Sequence, residues 1–266
     1  METPGGSFGE QLRGWRRHRH LSQLALACEA ELSSRHLSFL ETGRSIPSRD
    51  MVLRLAERLE VPLRERNTLL LAAGFAPAYP VRSLGDPALS AIRHTVQTVL
   101  DAHEPYPALA VDRHWFLVAS NRAIEPLIRG AASWLVTPPI NVLRLSLHPD
   151  GLANRIVNFA EWHEHILHRL RRQRDHTADP KLNALLDELA SFARPGSRST
   201  SAQTTQGDSM IAVPLRIVTE AGVLSLLSTT MIFGTPLDVS LSELAVEAFL
   251  PADAATGAAL RTLLKD

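Results

Sequence analysis

The chain has 266 residues, of which 45% are hydrophobic and 21% charged, and its acidic and basic residues balance to no formal net charge. This length suits two domains with ordinary cores, and the zero net charge argues against non-specific coating of nucleic acid. A single cysteine, Cys28, excludes an internal disulfide and a cysteine-rich zinc site. The sequence shows neither an apolar run of membrane-spanning length nor an apolar signal segment, so we expect a cytoplasmic protein.

Residues 1–78 predict a compact all-α domain of five short helices. We expect the first three helices to end at about residues 18, 30 and 42. The fourth is expected to start at residue 47, and the fifth to run from about residue 63 to 73. A serine oxygen can accept a hydrogen bond from the amides of a first helical turn, which makes serine a favoured N-cap. The predicted N-caps are Ser7, in a capping box with Glu10, then Ser22, Ser33 or Ser34, and Ser48.

The second and third helices, with the tight turn between them, form the most informative motif. The third helix has a buried side with Leu37 and Leu40 and a polar side with Ser34, Arg35 and Ser38. Such a helix can lie in the DNA major groove while the preceding helix braces it across the backbone. The order Ser-Gln-x-x-Leu-Ala, followed by Leu-x-x-Leu-Glu-x-Gly-Arg, resembles the helix-turn-helix of the XRE (Cro/C1-type) repressors.

The resemblance implies a set of DNA contacts, transferred position by position. Ser34, Arg35 and Phe39 match base-reading positions; arginine can bond both acceptors of a guanine, whereas phenylalanine can contact only a thymine methyl. Gln23, Thr42 and Arg44 match phosphate-contacting positions, which set register rather than sequence. The predicted DNA-binding residues are Gln23, Ser33, Ser34, Arg35, Ser38, Phe39, Thr42 and Arg44.

Three details accompany this motif. Arg16 and Glu41 match an ion pair that locks the first helix onto the third. Glu31 stands where these repressors usually carry glycine in the turn, and a positive φ there costs roughly 1 kcal/mol. Two alternatives stay open: the motif could be only an αα-corner, and Phe39 could pack against a dimer partner instead of DNA.

The remainder of the chain predicts a linker with a connecting helix, residues 79–104, and a second domain, residues 105–266. A β-hairpin over residues 109–119 precedes several helices, which include a long one from Leu152 to Arg172. A polar loop is expected over residues 195–208. Three β-rich runs follow at 210–218, 223–233 and 244–250, and a closing helix starts at about residue 253. This order predicts an α+β, PAS-like domain in which an antiparallel sheet carries its helices on one face, with a cavity between the layers.

Segments of both domains resemble one family, the MmyB-like transcription regulators. The resemblance is carried by residues 35–44, 66–77, 141–151 and 250–253. It implies an XRE-type DNA-binding domain joined to a PAS-like ligand-binding domain. One family member is associated with a bound fatty acid, and the family is linked to antibiotic and secondary metabolism.

A mostly apolar pocket with one or two polar anchors would suit an acyl chain. One stripe of the long helix comprises Ile156, Phe159, His163, Ile166 and Leu170, with Trp162 and Arg169 beside it. The opposite wall is expected to hold Met210, Val213, Leu224, Leu226, Met231 and Phe233. A carboxylate needs a polar partner, although the polar candidates suit surface or capping roles equally well. The predicted ligand-binding residues are Arg144, His148, Arg155, Asn158, Trp162, Met231 and Phe233.

Catalytic and metal sites are not predicted. His163 and His168 are five residues apart and do not share a helix face, unlike the pair in a His-Glu-x-x-His zinc site. We expect no enzyme activity, no cofactor other than a bound fatty acid or similar amphiphile, no membrane association, and a homodimer on a pseudo-palindromic operator of double-stranded DNA. One alternative is a repressor whose second domain binds a protein partner through an exposed apolar patch. Another is an enzyme with a degenerate DNA-binding domain, which would need a convergent polar site in the cavity.

Overall fold

The computed structural model describes residues 6–82, 90–192, 213–233 and 238–264. They form two compact units. The N-terminal unit comprises the described residues up to 82 together with residues 238–242, and the C-terminal unit comprises the rest.

Five short helices build the N-terminal unit, as the sequence predicts. They are α1 (Phe8–His18), α2 (Gln23–Glu29), α3 (Ser34–Glu41), α4 (Arg49–Arg58) and α5 (Leu63–Ala72). The capping box of Ser7 and Glu10 is confirmed, and Ser33 rather than Ser34 caps α3. A core of fully buried leucines holds the helices together: Leu12, Leu26, Leu37, Leu40, Leu55, Leu59, Leu69 and Leu70.

All five of these helices end in the same way. At α2, Glu31 takes the left-handed conformation with φ 56°, as predicted, and the amide of Leu32 donates to the carbonyl of Ala27 at 2.8 Å. This is the hydrogen bond of a Schellman motif, which satisfies a carbonyl that the helix end leaves free. The left-handed residues of the five ends are His20, Glu31, Gly43, Glu60 and Gly74.

The C-terminal unit is an antiparallel sheet with helices, which confirms the predicted α+β, PAS-like class. Its sheet has five strands in the order β2-β1-β5-β4-β3. The strands are β1 (Ala108–Val111), β2 (Leu117–Ser120), β3 (Leu215–Thr219), β4 (Gly222–Ile232) and β5 (Ala245–Pro251). Its helices are α6 (Ser90–Asp101), α7 (Glu125–Ile128), α8 (Val142–Leu147), α9 (Phe159–Thr177), α10 (Lys181–Ala190) and α12 (Ala254–Leu263), and the helix α11 (Val239–Ser242) lies between β4 and β5 in the chain.

The short helix α11 lies in the chain between β4 and β5 but belongs to the N-terminal unit. Val239 is fully buried, and its amide donates to the carbonyl of Pro80 at 3.0 Å. The amide of Arg82 donates to the hydroxyl of Ser240 at 3.2 Å. These backbone contacts tie residues 80–82 to the start of α11.

The long helix starts later than the sequence predicts, at Phe159 rather than Leu152. The preceding residues make a short 3-10 turn, after which the amide of Val157 donates to the carbonyl of Arg216 at 2.7 Å. Ile156 also forms a bridge with Ile217 in β3. Residues 156 and 157 therefore cover the edge of the sheet at β3. This pairing, which sequence periodicity cannot reveal, prevents the helix from starting at Leu152.

The predicted loop at residues 195–208 and the predicted cavity residue Met210 lie outside the described residues. In the described ranges, no helix combines the length and the apolar character that crossing a membrane requires.

Candidate functional site

Helix α3 presents an exposed polar and aromatic face. Ser34 and Arg35 are exposed, and Phe39, one turn further on, is partly exposed. The guanidinium carbon of Arg35 lies 5.4 Å from the centroid of the Phe39 ring, and that of Arg44 lies 6.0 Å from it. Because a cation is attracted to an aromatic face, the two arginines and the ring form one continuous surface.

The ion pair predicted between α1 and α3 is confirmed. Arg16 donates from Nε to Glu41 Oε1 at 2.5 Å and from Nη2 to Oε2 at 2.9 Å, and Gln23 donates to the same Oε2 at 2.8 Å. Burial alone would raise the pKa of Glu41, but the hydrogen bonds from Arg16 and Gln23, with the charges of Arg16 and Arg13, hold it below its usual value. The pair fixes the position of α3 on the rest of the unit.

The C-terminal unit encloses an apolar cavity of about 100 Å³. Among the described residues that line it, Ser146, Arg169, Ser228 and Glu247 are neither aliphatic nor aromatic. The apolar lining consists of Leu109, Trp115, Leu117, Ile124, Leu127, Ile128, Ile140, Val142, Leu143, Leu145, Leu152, Trp162, Ile166, Leu215, Ile217 and Phe249. Helix α9 and strands β4 and β5 thus supply most of the polar atoms at the wall.

An ion pair forms the polar end of this cavity. Arg169 donates from Nη1 to Glu247 Oε2 at 2.8 Å, and its Nη2 bonds the other carboxylate oxygen and Thr230. Ser228 donates to Glu247 Oε2 at 3.1 Å, and the Arg169 guanidinium lies 4.6 Å from the centroid of the Trp115 ring. Glu247 is 3% exposed, so a charged group of α9 is joined to a buried carboxylate of β5.

These features agree with the comparisons with known families. A model described as the MmyB-like transcription regulator ligand binding domain matches residues 92–263, which is well over half of the chain. The chain belongs to the MmyB-like transcription regulators. A second model, for a helix-turn-helix domain, matches residues 7–69. The MmyB-like chain therefore joins a helix-turn-helix domain to a domain of the MmyB-like ligand-binding family, and both matched families are regulatory.

Other comparisons add little. No curated protein matches the chain. One solved structure with a similarity, an RNA-binding light-oxygen-voltage receptor, is 15% identical and covers 98% of this chain. The chain spans 65% of that receptor, and the TM-score of 0.26 is too low to support an argument about fold or function.

In the MmyB-like chain, several predicted DNA-binding residues already hold intramolecular hydrogen bonds. Ser33 accepts from the amide of His36 at 3.1 Å, and Thr42 donates to the carbonyl of Ser38 at 2.8 Å. Gln23 bonds Glu41, as described above. Their contacts with DNA stay predictions, as do those of the exposed residues Ser34, Arg35 and Arg44.

The seven predicted ligand-binding residues are all described, and Trp162 is the one among them that lines the cavity. Its indole nitrogen donates to Ser146 at 3.1 Å. Arg144 pairs with Glu188 through bonds of 2.5 and 2.7 Å, which lower the pKa of the Glu188 carboxyl. Arg155 instead holds three backbone carbonyls: those of Leu127, Arg129 and Val218.

The other predicted ligand residues also lie outside the cavity lining. Asn158 bonds the carbonyl of Pro214 and the amide of Arg216. His148 packs edge-on against Trp134 and Phe192, and its Nδ1 accepts from the amide of Asp150 at 3.0 Å. The predicted cavity histidine His163 is buried, with Nε2 2.9 Å from the carbonyl of Leu189. These side chains have structural partners that the sequence pattern does not reveal.

Met231 and Phe233 do not line the far wall of the cavity, although the sequence predicts that they would, and strand geometry gives the reason for Met231. Successive side chains of a strand alternate between its two faces. Ser228 lines the cavity from β4, and the predicted wall residues Leu224 and Leu226 share its face but pack in the core without lining the cavity. Met231, at an odd position, therefore faces away, and it is 36% exposed. Phe233 follows the end of β4 and does not line the cavity.

Sequence reasoning missed the residues at the polar end of the cavity. It placed Arg169 beside the stripe of α9 without a role, and it overlooked Ser228 and Glu247. A usable signal was present, because Glu247 is a charged residue inside an otherwise apolar β-rich run. In the described part of the chain, no group of three or more His, Cys, Asp or Glu side chains could hold a metal ion.

Proposed function

We propose that this chain is a cytoplasmic, homodimeric transcription regulator that reads a pseudo-palindromic operator with α3 and senses a small apolar ligand in the cavity of its C-terminal unit. The observation that carries the proposal is an apolar cavity with a polar end, in the same chain as a face formed by the exposed Ser34 and Arg35 and the partly exposed Phe39. Dimerisation is part of the proposal because one small reading domain contacts too few bases for selectivity.

The size of the cavity restricts the ligand. Its volume is about 100 Å³. A dry cavity of about 150 Å³ can hold benzene, whereas pockets for larger ligands measure roughly 300–1,000 Å³. We therefore propose a compound with an aliphatic portion, a fatty acid or similar amphiphile, whose longer chains require the lining side chains to change rotamers. Binding changes DNA affinity to the extent that the DNA-bound and free states of the regulator hold the ligand differently.

The test is native mass spectrometry followed by solvent extraction of the purified protein. We expect an apolar compound that is released on denaturation. Val142→Phe fills the cavity and should abolish its uptake, whereas Val157→Phe, at a position 50% exposed and away from the lining, should retain it. Equal uptake by both variants, or no uptake of any apolar compound by the wild type, would refute the cavity as the ligand site.

The second candidate is a protein-binding role for the C-terminal unit. Three valines with exposures of 44% to 53% lie near one another: Val218 pairs with Val223 across β3 and β4, and the amide of Val157 bonds β3. Contiguous exposed apolar surface is typical of interaction sites. Val223→Lys should then abolish capture of a partner while it leaves ligand uptake unchanged. Capture that persists in this variant would remove this candidate.

A further inference from the structure

The charges at the polar end of the cavity cancel each other. Both Nη atoms of Arg169 bond the carboxylate of Glu247, one oxygen to each nitrogen. Ser228 adds a hydrogen bond to the same carboxylate, and Thr230 accepts from Arg169. The Arg169 guanidinium, to which the sequence analysis assigns no role, is thus already neutralised by the protein.

A ligand carboxylate meets an unfavourable environment at this pair. To reach the Arg169 guanidinium, it must approach the Glu247 carboxylate, whose side chain is 4% exposed and thus removed from water. Two like charges repel each other most strongly where water is excluded, and the incoming carboxylate also loses its own hydration. This end of the cavity therefore has no net positive charge, which the carboxylate of a fatty acid would need.

An uncharged polar head group fits the same atoms. A hydroxyl or amide of the ligand can donate to a Glu247 oxygen, since a carboxylate offers about four acceptor sites. Ser228, which donates its hydroxyl hydrogen to Glu247, keeps lone pairs that can accept from the ligand. Neither contact requires the ion pair to open.

We infer that the cavity selects amphiphiles with an uncharged, hydrogen-bonding head group, such as an alcohol or amide, over carboxylates, and that the Arg169–Glu247 pair sets this preference. The inference rests on the proposed ligand-sensing function and, among the amphiphiles proposed there, favours those with an uncharged head group over fatty acids. The selectivity arises because the charges of Arg169 and Glu247 cancel. Removal of the Glu247 charge should therefore favour anionic head groups, and removal of the Arg169 charge should favour cationic ones.

The test uses four probes with the same chain length: 1-octanol, octanamide, octanoate and octylammonium. Each is titrated calorimetrically into the full-length protein at pH 7. We expect the wild type to bind octanol and octanamide at least about tenfold more tightly than octanoate. Glu247→Gln frees the positive charge of Arg169 and should make octanoate the best probe, while Arg169→Met frees the negative charge of Glu247 and should favour octylammonium.

A matched control comes from another bidentate pair of the C-terminal unit, Arg144–Glu188, which does not line the cavity. Glu188→Gln removes a carboxylate of the same kind and frees Arg144, and it should leave the probe preference unchanged. A shift toward octanoate in this variant would assign the head-group site to Arg144 and overturn the inference.

The wild-type preference decides the inference even if a cavity variant does not fold. Tighter binding of octanoate than of octanol would refute the selection of uncharged head groups and leave the proposed ligand-sensing function standing. Binding of none of the four probes, together with no apolar compound in the extract, would refute the proposed function and the inference with it.

Discussion

Two Arg–Glu pairs of similar geometry lie in different surroundings in the two units. In the N-terminal unit, Arg16 and Glu41 are joined by bonds of 2.5 and 2.9 Å, and protein groups occupy the space around them, with further bonds to Gln23 and to the carbonyl of Leu21. In the C-terminal unit, the Arg169–Glu247 pair borders an apolar cavity. The surroundings of a charged pair, more than the pair itself, therefore decide whether a further molecule could reach it.

The most demanding test of this comparison removes one charge from each pair. Glu41→Gln should lower the free energy of unfolding of the N-terminal unit by about 3–5 kcal/mol, because it leaves the buried Arg16 charge unpaired. Glu247→Gln should cost the C-terminal unit less, because the Arg169 side chain is 25% exposed and stacks on Trp115, whereas the Arg16 side chain is 10% exposed. Urea unfolding of each variant measures both losses, and equal losses would contradict the distinction.

The pH dependence of stability tests the contribution of the Glu41 charge. The pKa of Glu41 is lower in the folded protein than its usual value of 4.5, so its contribution to stability is complete above that value and is lost as the pH falls through the folded pKa. We expect the stability gap between the wild type and Glu41→Gln to be constant near neutral pH and to close below about 4.5. Chemical unfolding from pH 3 to pH 7 measures this gap. A gap that is as large at pH 3 as at pH 7 would show that the charge of Glu41 is not its cause.

The comparison also separates arginines that hold the fold from arginines available to DNA. Arg35 is exposed on α3, so Arg35→Ala should leave stability nearly unchanged and reduce discrimination at one base pair by about 1–3 kcal/mol. Binding to operator fragments selected from random DNA, measured by fluorescence anisotropy, provides the value. Arg58→Ala, an exposed arginine at the end of α4, is the control and should retain the discrimination. Equal losses in both variants would remove Arg35 from the base-reading residues.

The smallest expected effect concerns the helix ends of the N-terminal unit. Glu60 takes φ 48° at the same motif position where Gly74 has φ 83°. Glu60→Gly should therefore raise stability by up to about 1 kcal/mol, and Gly74→Ala should lower it by a similar amount, because only glycine adopts this conformation without a steric penalty. Thermal unfolding compares the two variants. Changes of the same sign would show that backbone strain does not govern these positions.

Local sequence determined most of the N-terminal unit. The predicted N-caps of α1 to α4 and the predicted ends of α1, α2, α3 and α5 lie within about two residues of the observed ones, because capping and Schellman bonds join residues only three to five positions apart. The Arg16–Glu41 pair was accessible through the resemblance to helix-turn-helix repressors. The antiparallel sheet and its strand-rich segments were also predictable, since alternation and turn residues are local signals.

The tertiary structure alone decided the polar end of the cavity. Arg169 and Glu247 are 78 positions apart in sequence, and they meet because β5 pairs with β4 and α9 contributes to the same wall. The same packing gives Arg144, Arg155 and Asn158 partners outside the cavity, and the alternation of β4 turns Met231 away from it. Periodicity identifies which face of an element is apolar, but the partner of each polar side chain depends on strand pairing between distant segments, which a local pattern does not encode.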